Sequence, residues 1–483
     1  GELGRVEPIF GLSHDLLVYM ECHALPLDLR PDAGCARAFS LDALSNYCKV
    51  SLRKNKRLLT QVFSLEQYQY PLRAQGSTMA PTSAQAVPSY LREINERRVL
   101  DVLRQSGAAH AAEVARLTGL SRPTASQVLR SLIDVGLVRE EVPSEADPRR
   151  ARSMYSAMAD LGGVLAIDIG ARFVRAAVAD LNGKILSNVS RAMADVHLGD
   201  VLSEMRGAVT QALDEAGYSL AQIVTVVVGS PGVVDQQGGH IAIAGTISEL
   251  DGIPLGEVVA REFNCTPVIE NDVNLVAIAE QTYGGGKGVQ NFVVLSVGSG
   301  LGAGLTLNGT LHRGHRGAAG EIFYVPFGDP YDSMRSHTDP SGGKIEALAA
   351  ELAPSHPTSR LTAPYSSVSI FEAARYKDPL AVAVVHDVAR RIALYIATIT
   401  AVVDVELVIL GGGVGRQADV LLAEIQAVVA RIVPFAPRIE VSSLGETAVL
   451  LGGIAMGTSL AQDAVFAQRS NAYQAARELS ELS

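Results

Sequence analysis

Apolar positions recur every three to four residues in three successive stretches between residues 89 and 138, and from residue 161 they gather instead into short runs separated by glycine turns. In LSRPTASQVLRSLIDVGLV (120–138), Ala125, Val128, Leu129 and Leu132 follow the i, i+3, i+4, i+7 spacing of one buried helical stripe. Ser121 stands where it can cap the first turn, and Pro123 is tolerated there because a first-turn residue has no intrahelical use for its N–H. The opposite side carries Arg122, Thr124, Gln127, Arg130 and Ser131. HAAEVARLTGL (110–120) predicts a shorter helix with Val114, Leu117 and Leu120 facing inward and Gly119 ending it in a left-handed conformation. SYLREINERRVLDVLRQSG (89–107) predicts a longer helix with Leu91, Ile94, Val99, Leu100 and Leu103 as core.

A helical hairpin with a solvated face would account for the two short helices alone. Their flanks decide otherwise, because the longer helix completes a three-helix head and GLVREEVPSEADPRRARSMYSAM (136–158) has two strand-like ends around a charged tip. That order is a winged helix-turn-helix. Its polar face, with Ser121, Arg122, Thr124, Gln127 and Arg130, is expected to meet the major groove of double-stranded operator DNA. Arg149 and Arg150 at the wing tip, with Arg152, suit phosphate contact or a narrow minor groove.

Charge refines this picture. The 483 residues carry a formal net charge of −10, which disfavours nucleic acid only if the charge is spread evenly. Residues 79–160 hold eleven arginines, no lysine and ten acidic residues, a net of about +1. A head of that kind relies on a few placed contacts rather than on bulk attraction. Four cysteines, three of them at 22, 35 and 48 without a C-x-x-C spacing, give no disulfide framework and point to a reducing cytoplasm. No uninterrupted apolar run approaches the ~20 residues that span a bilayer, and no leader pattern opens the chain, so no membrane association is expected. Residues 1–78 show neither period and are expected to lie outside the working protein, with no role assigned.

From Leu161 the alternation of apolar runs, helical stretches and glycine loops predicts an α/β fold. GVLAIDIGARFVRAAVADLNGKILSNVS (163–190) predicts three strands turning at Gly170 and at Asn182-Gly183. A helix near 198–216 and a buried strand, IVTVVVG (223–229), follow. NFVVLSVGSGLGAGLTLNGTLHRG (291–314) repeats the strand, turn, strand, turn, strand theme, so a duplicated, two-lobed fold is expected.

Four further segments narrow the reading: GSPGVVD (229–235), IENDVNLVAIAE (269–280), GAAGEIFYVPF (317–327) and VILGGGVG (408–415). In order and spacing they resemble the ROK family, which comprises sugar kinases and sugar-responsive transcription regulators, across essentially all of 161–465. The resemblance implies the actin-like, ribonuclease-H-like fold, and the winged helix in front is similar to the regulator branch, with its repressors of xylose and N-acetylglucosamine genes. It divides the chain into an extension (1–78), a winged helix-turn-helix domain (79–160) and an effector and oligomerisation domain (161–483).

The resemblance also places a sugar site on Asn271, Asp272, Glu321, Tyr324 and Glu346, with Asp272 at the position of the kinases' general base. Kinase features depart from the family pattern at three places. Glu321-Ile322-Phe323-Tyr324 keeps the glutamate of Glu-x-Gly-His but not the glycine or the histidine. HTDPSGGKIE (337–346) stands at the zinc motif with His337, Asp339 and Lys344 at its cysteine positions, so no metal is expected. Arg172 replaces a small residue in the first phosphate loop, Asp168-Ile169-Gly170-Ala171-Arg172. Loops Gly298–Gly302 and Gly411–Gly413 remain, but tight turns need glycine anyway, and no cofactor is assigned. The expectation is a non-catalytic, sugar-responsive regulator, a homodimer or homotetramer. The alternatives are a sugar kinase with an appended DNA-binding head and a regulator that senses a protein.

Overall fold

The computed structural model describes residues 86–141, 153–193, 197–235, 240–242, 247–327 and 339–481. The extension 1–78 and the wing-tip residues Arg149 and Arg150 therefore lie outside the described residues.

The first elements are three helices, α1 (Ala86–Ser106), α2 (Ala111–Thr118) and α3 (Arg122–Asp134), followed by the antiparallel pair β1 (Val138–Glu141) and β2 (Met154–Ala157). Ala125, Val128, Leu129 and Leu132 of α3 are buried against Val99, Leu100 and Leu103 of α1, as the helical period requires. Ser121 caps α3 by accepting from the Thr124 N–H, and Gly119 ends α2 at φ +71°. The apolar stripes of α1 and α2 are narrower than expected: Leu91 and Leu117 are exposed, because no neighbouring element covers those positions among the described residues.

The remainder is built on two five-stranded sheets of the same topology. The first runs β5 (Ile185–Ala192), β4 (Phe173–Asp180), β3 (Gly163–Ile169), β6 (Ile223–Ser230), β9 (Pro267–Asn271). Its helices are α4 (Leu198–Ala216) and α5 (Leu255–Phe263), and the short pair β7 (Val233–Val234) and β8 (Ile241–Ala242) follows β6. The second runs β12 (Thr310–His312), β11 (Leu301–Leu307), β10 (Phe292–Val297), β13 (Leu407–Gly411), β14 (Arg438–Val441). In both, two antiparallel pairings are followed by two parallel ones, the duplication expected from the repeated hairpin theme.

Helix α6 (Asp272–Tyr283) leads from the last strand of the first sheet to the second sheet. Over the second sheet lie α7 (Gly342–Leu352), α8 (Ser367–Arg375), α9 (Pro379–Val403), the single turn α10 (Gly412–Gly415) and α11 (Ala418–Ile432). The chain returns through α12 (Ala448–Glu481), which crosses the first sheet and α6. The helices α6 and α12 nearly touch at the backbone: a Cβ on Gly452 would stand 1.9 Å from the Leu275 carbonyl oxygen, so only glycine fits.

The middle of α12 enters the core of the head. Ala461, Val465 and Phe466 share one apolar cluster with Leu100, Leu103, Leu129 and Leu132, and Val164 and Ala179 of the first sheet complete it. Arg97 seals the edge, ion-paired with Asp463 and placed 4.5 Å from the centre of the Phe466 ring. Counting uninterrupted apolar runs understated α12, since the stretch Gly445–Ala476 is long and apolar enough to cross a bilayer. Half of its most apolar window is instead buried inside the protein.

Candidate functional site

Two surfaces carry the expected chemistry. On α3, Arg122, Gln127 and Arg130 are exposed and Thr124 is half-buried. Ser121 and Thr124 are engaged with each other, their hydroxyls 2.8 Å apart, so they shape the start of the helix. Arg130 donates back to the Ser126 carbonyl at 3.3 Å. Arg122 and Gln127 make no side-chain hydrogen bond to the described residues. Ser131 points elsewhere. It donates to Glu96 at 2.6 Å and accepts from Arg92 at 2.6 Å, a network that locks α3 to α1 and that helical periodicity does not show.

The second surface opens at the start of α6, where Asn271 and Asp272 end β9 and begin the helix. Asn271 is the N-cap: its Oδ1 accepts from the Asn274 N–H at 3.0 Å and its Nδ2 donates to the Gly232 carbonyl at 2.9 Å. The Asp272 carboxylate accepts from the Val273 N–H at 2.7 Å. Burial pushes its carboxyl up to about 7, helped by the negative charges of Asp168 and Glu321, while the Val273 N–H opposes the shift. Asp168 is raised to about 6 by burial, against the pull of the Arg175 guanidinium 3.1 Å away. Burial also raises Glu321. Asp168, Asp272 and Glu321 thus gather three carboxyl groups from β3, α6 and the loop after β12. Such groups bind hydroxyls well, since a carboxyl near neutrality can donate or accept.

The other expected members are placed differently. Tyr324 is 44 % exposed, its ring edge-on to Phe323 with centroids 5.7 Å apart. Glu346 accepts from the Ser367 N–H at 3.2 Å and so caps α8. At the zinc-motif positions, His337 lies outside the described residues, Lys344 is exposed, and both Asp339 oxygens accept from Ser341 at 2.9 Å. These residues supply no thiolate and no free carboxylate, and they do not fit a zinc ion.

Three charged side chains, Arg175, Glu446 and Glu270, escaped the sequence reading. Arg175 was legible in principle, because the turn at Gly170 pairs it directly with Asp168 across β3 and β4. It also reaches Glu446 at 3.4 Å, and Glu446 lies 3.8 Å from Arg416, whose Nε donates to the Gly412 carbonyl. The third, Glu270, pairs with Arg313 from 43 residues away at 2.7 Å, and no local pattern announces such a contact.

Comparison with known proteins accords with this geometry. The sequence matches the ROK family profile over residues 164–459 and the MarR family profile over residues 93–150. The xylose repressor of Caldicellulosiruptor bescii is 24 % identical over 390 residues, covering 76 % of this chain and 96 % of the repressor. A glucokinase of Halalkalibacterium halodurans is 26 % identical over 305 residues, covering 59 % of this chain and 92 % of the kinase. Among solved structures, a ROK family transcriptional regulator described as a homolog of the E. coli MLC protein superposes with a TM-score of 0.65. Its sequence identity is 21 %, covering 79 % of this chain and 99 % of that one. With a winged helix-turn-helix joined to a duplicated two-sheet body, and with the family profile spanning well over half its length, the chain belongs to the ROK family.

Proposed function

We propose that the protein is a sequence-specific DNA-binding repressor of carbohydrate-use genes, working in the cytoplasm, whose operator affinity is set by a sugar or sugar derivative in the cleft beside Asp272. One observation carries this reading. The helix that begins at Asp272 packs backbone to backbone on α12, and the middle of α12 is part of the core of the head. A ligand that shifts α6 therefore acts on the DNA-binding surface through packed side chains and not through a flexible linker. The xylose repressor similarity, which spans head and body together, supports the same reading. The head (79–160) reads DNA through α3 with Arg149 and Arg150 from the wing, and the body (161–483) holds the sugar and pairs the heads. A homodimer presenting two heads to two half-sites suits an operator with two-fold symmetry.

The test is reciprocity. A sugar shifts the equilibrium only by its differential affinity for the two states, typically ~1–3 kcal/mol, and operator DNA must change sugar affinity by the same factor. Calorimetric titration of the free and the DNA-bound protein, with Asp272→Ala as control, measures both sides. Equal sugar affinity in the two states refutes the switch.

A kinase reading has one observation in its favour, since a carboxyl raised to about 7 suits a general base. Against it stand the departures at Arg172, Phe323 and Tyr324 and at the zinc motif, and the engagement of Arg175 with the Asp168 carboxylate at 3.1 Å in the first phosphate loop. Phosphorylation of a sugar by ATP and magnesium that vanished in Asp272→Asn would restore the kinase reading.

A further inference from the structure

The ion pair between Glu270 and Arg313 has no part in the binding groups named above, yet it joins the two segments that carry them. Glu270 is 2 % exposed at the end of β9, and its carboxylate is fully engaged. Oε1 accepts from the Asn271 N–H at 3.0 Å and from Asn274 Nδ2 at 2.9 Å, which fixes the first turn of α6 and with it Asp272. Oε2 accepts from Arg313 Nε at 2.7 Å.

Arg313 belongs to the loop that follows β12, on the second sheet. Its own carbonyl accepts from the Ala319 N–H at 3.1 Å and closes that loop. The next residue, Gly320, is held at φ +94° with its carbonyl accepting from the Ala303 N–H, and a Cβ there would lie 1.8 Å from the Ala303 oxygen. Glu321 comes next. The loop that leads into the glutamate is thus pinned twice, by β11 at Gly320 and by the Arg313 side chain at its base.

We infer that Glu270 and Arg313 form the positioning pair that sets the spacing between the Asp272 and Glu321 carboxyl groups, and so selects which hydroxyl arrangement the cleft accepts. The inference rests on the reading of this cleft as the sugar site. A planar guanidinium held at Nε by a buried carboxylate fixes direction as well as distance, which a flexible ammonium does not. The two carboxyl groups are close enough for the Glu321 charge to act on Asp272, so small changes in their separation reach the ligand directly.

Calorimetric titration with D-glucose, D-xylose and N-acetyl-D-glucosamine tests this on the full chain, using wild type, Asp272→Ala, Glu270→Gln, Arg313→Gln and the Glu270→Gln/Arg313→Gln double variant. Each single glutamine variant should lower affinity for the preferred sugar about tenfold and flatten the ranking among the three. The double variant, whose amides hydrogen-bond each other without charge, should recover most of both. Should Glu270→Gln fail to give a cooperative melt, Arg313→Lys takes its place, with a smaller loss and the same change in ranking. A merely structural role would lower the melting temperature and leave the ranking intact, and that result overturns the inference, as do single variants with wild-type affinity or additive losses in the double. Binding that Asp272→Ala abolishes while the Arg313 variants keep it sinks the positioning pair alone. No binding by wild type, or binding untouched by Asp272→Ala, sinks the sugar-site reading and the pair with it.

Discussion

At the scale of single residues, Asp272 is the group whose chemistry the fold alters most. Its carboxyl is pushed up to about 7 in the folded chain from an ordinary value of 3.8. Below that ordinary value both folded and unfolded chains hold the proton, and burial of the group costs nothing. As pH rises toward 7 the unfolded chain releases its proton first, so stability falls across this window and is lowest above it. The whole interval corresponds to at most about 4 kcal/mol. Asp272→Asn should therefore raise the melting temperature of the ligand-free protein at pH 8 at least twice as much as at pH 5, read by scanning calorimetry. Equal gains at the two pH values would show that the carboxyl titrates normally. The identity of this residue was legible in IENDVNLVAIAE, but its environment was not. Asp168 and Glu321 lie 104 residues before it and 49 after it in sequence, and only the two-lobed fold brings their charges to one place.

Among the elements, α3 followed most directly from its sequence. The N-cap serine, the first-turn proline and the four buried positions are local properties, and local properties survive in the fold. Ser131 is engaged with Glu96 and Arg92, and Ser121 and Thr124 with each other at the cap. On the proposed reading, Gln127 and Arg122 are the exposed groups of this face best placed to read bases. Gln127→Ala should relax preference at one base pair of each half-site by about 1–3 kcal/mol, with little change in affinity for random DNA. Quantitative shift assays with singly substituted operators measure this, and an unchanged base preference would move the recognition surface off α3. Leu91 and Leu117 illustrate the limit of periodicity: it finds an apolar stripe but not how wide a neighbour will cover it.

For the molecule as a whole, the head and the body do not separate into two cores. Phe466, 347 residues from Gly119 in sequence, is buried among head residues and lies under Arg97, and nothing in the amphipathic pattern of α12 identifies that partner. The duplicated sheets were legible because each strand carries its own signal, whereas the joint between head and body exists only in three dimensions. Wild-type protein should accordingly melt in a single calorimetric transition over residues 83–483, and Phe466→Ala should cost about 3–5 kcal/mol and split off an earlier transition of the head. Two transitions in wild type would mean that the shared core does not couple them. On the proposed reading, a head packed on its body in this way would not pivot freely to search for its half of an operator. In the proposed two-fold pair the span between the reading helices would be a property of the bodies, and the protein would work as a caliper on DNA. Adding about five base pairs, half a helical turn, between two half-sites would carry the second one to the far side of the duplex, out of reach of the jaw. Adding a full turn would return it to the correct side but too far along. Such a regulator would select its genes by the distance between two short words as much as by their spelling.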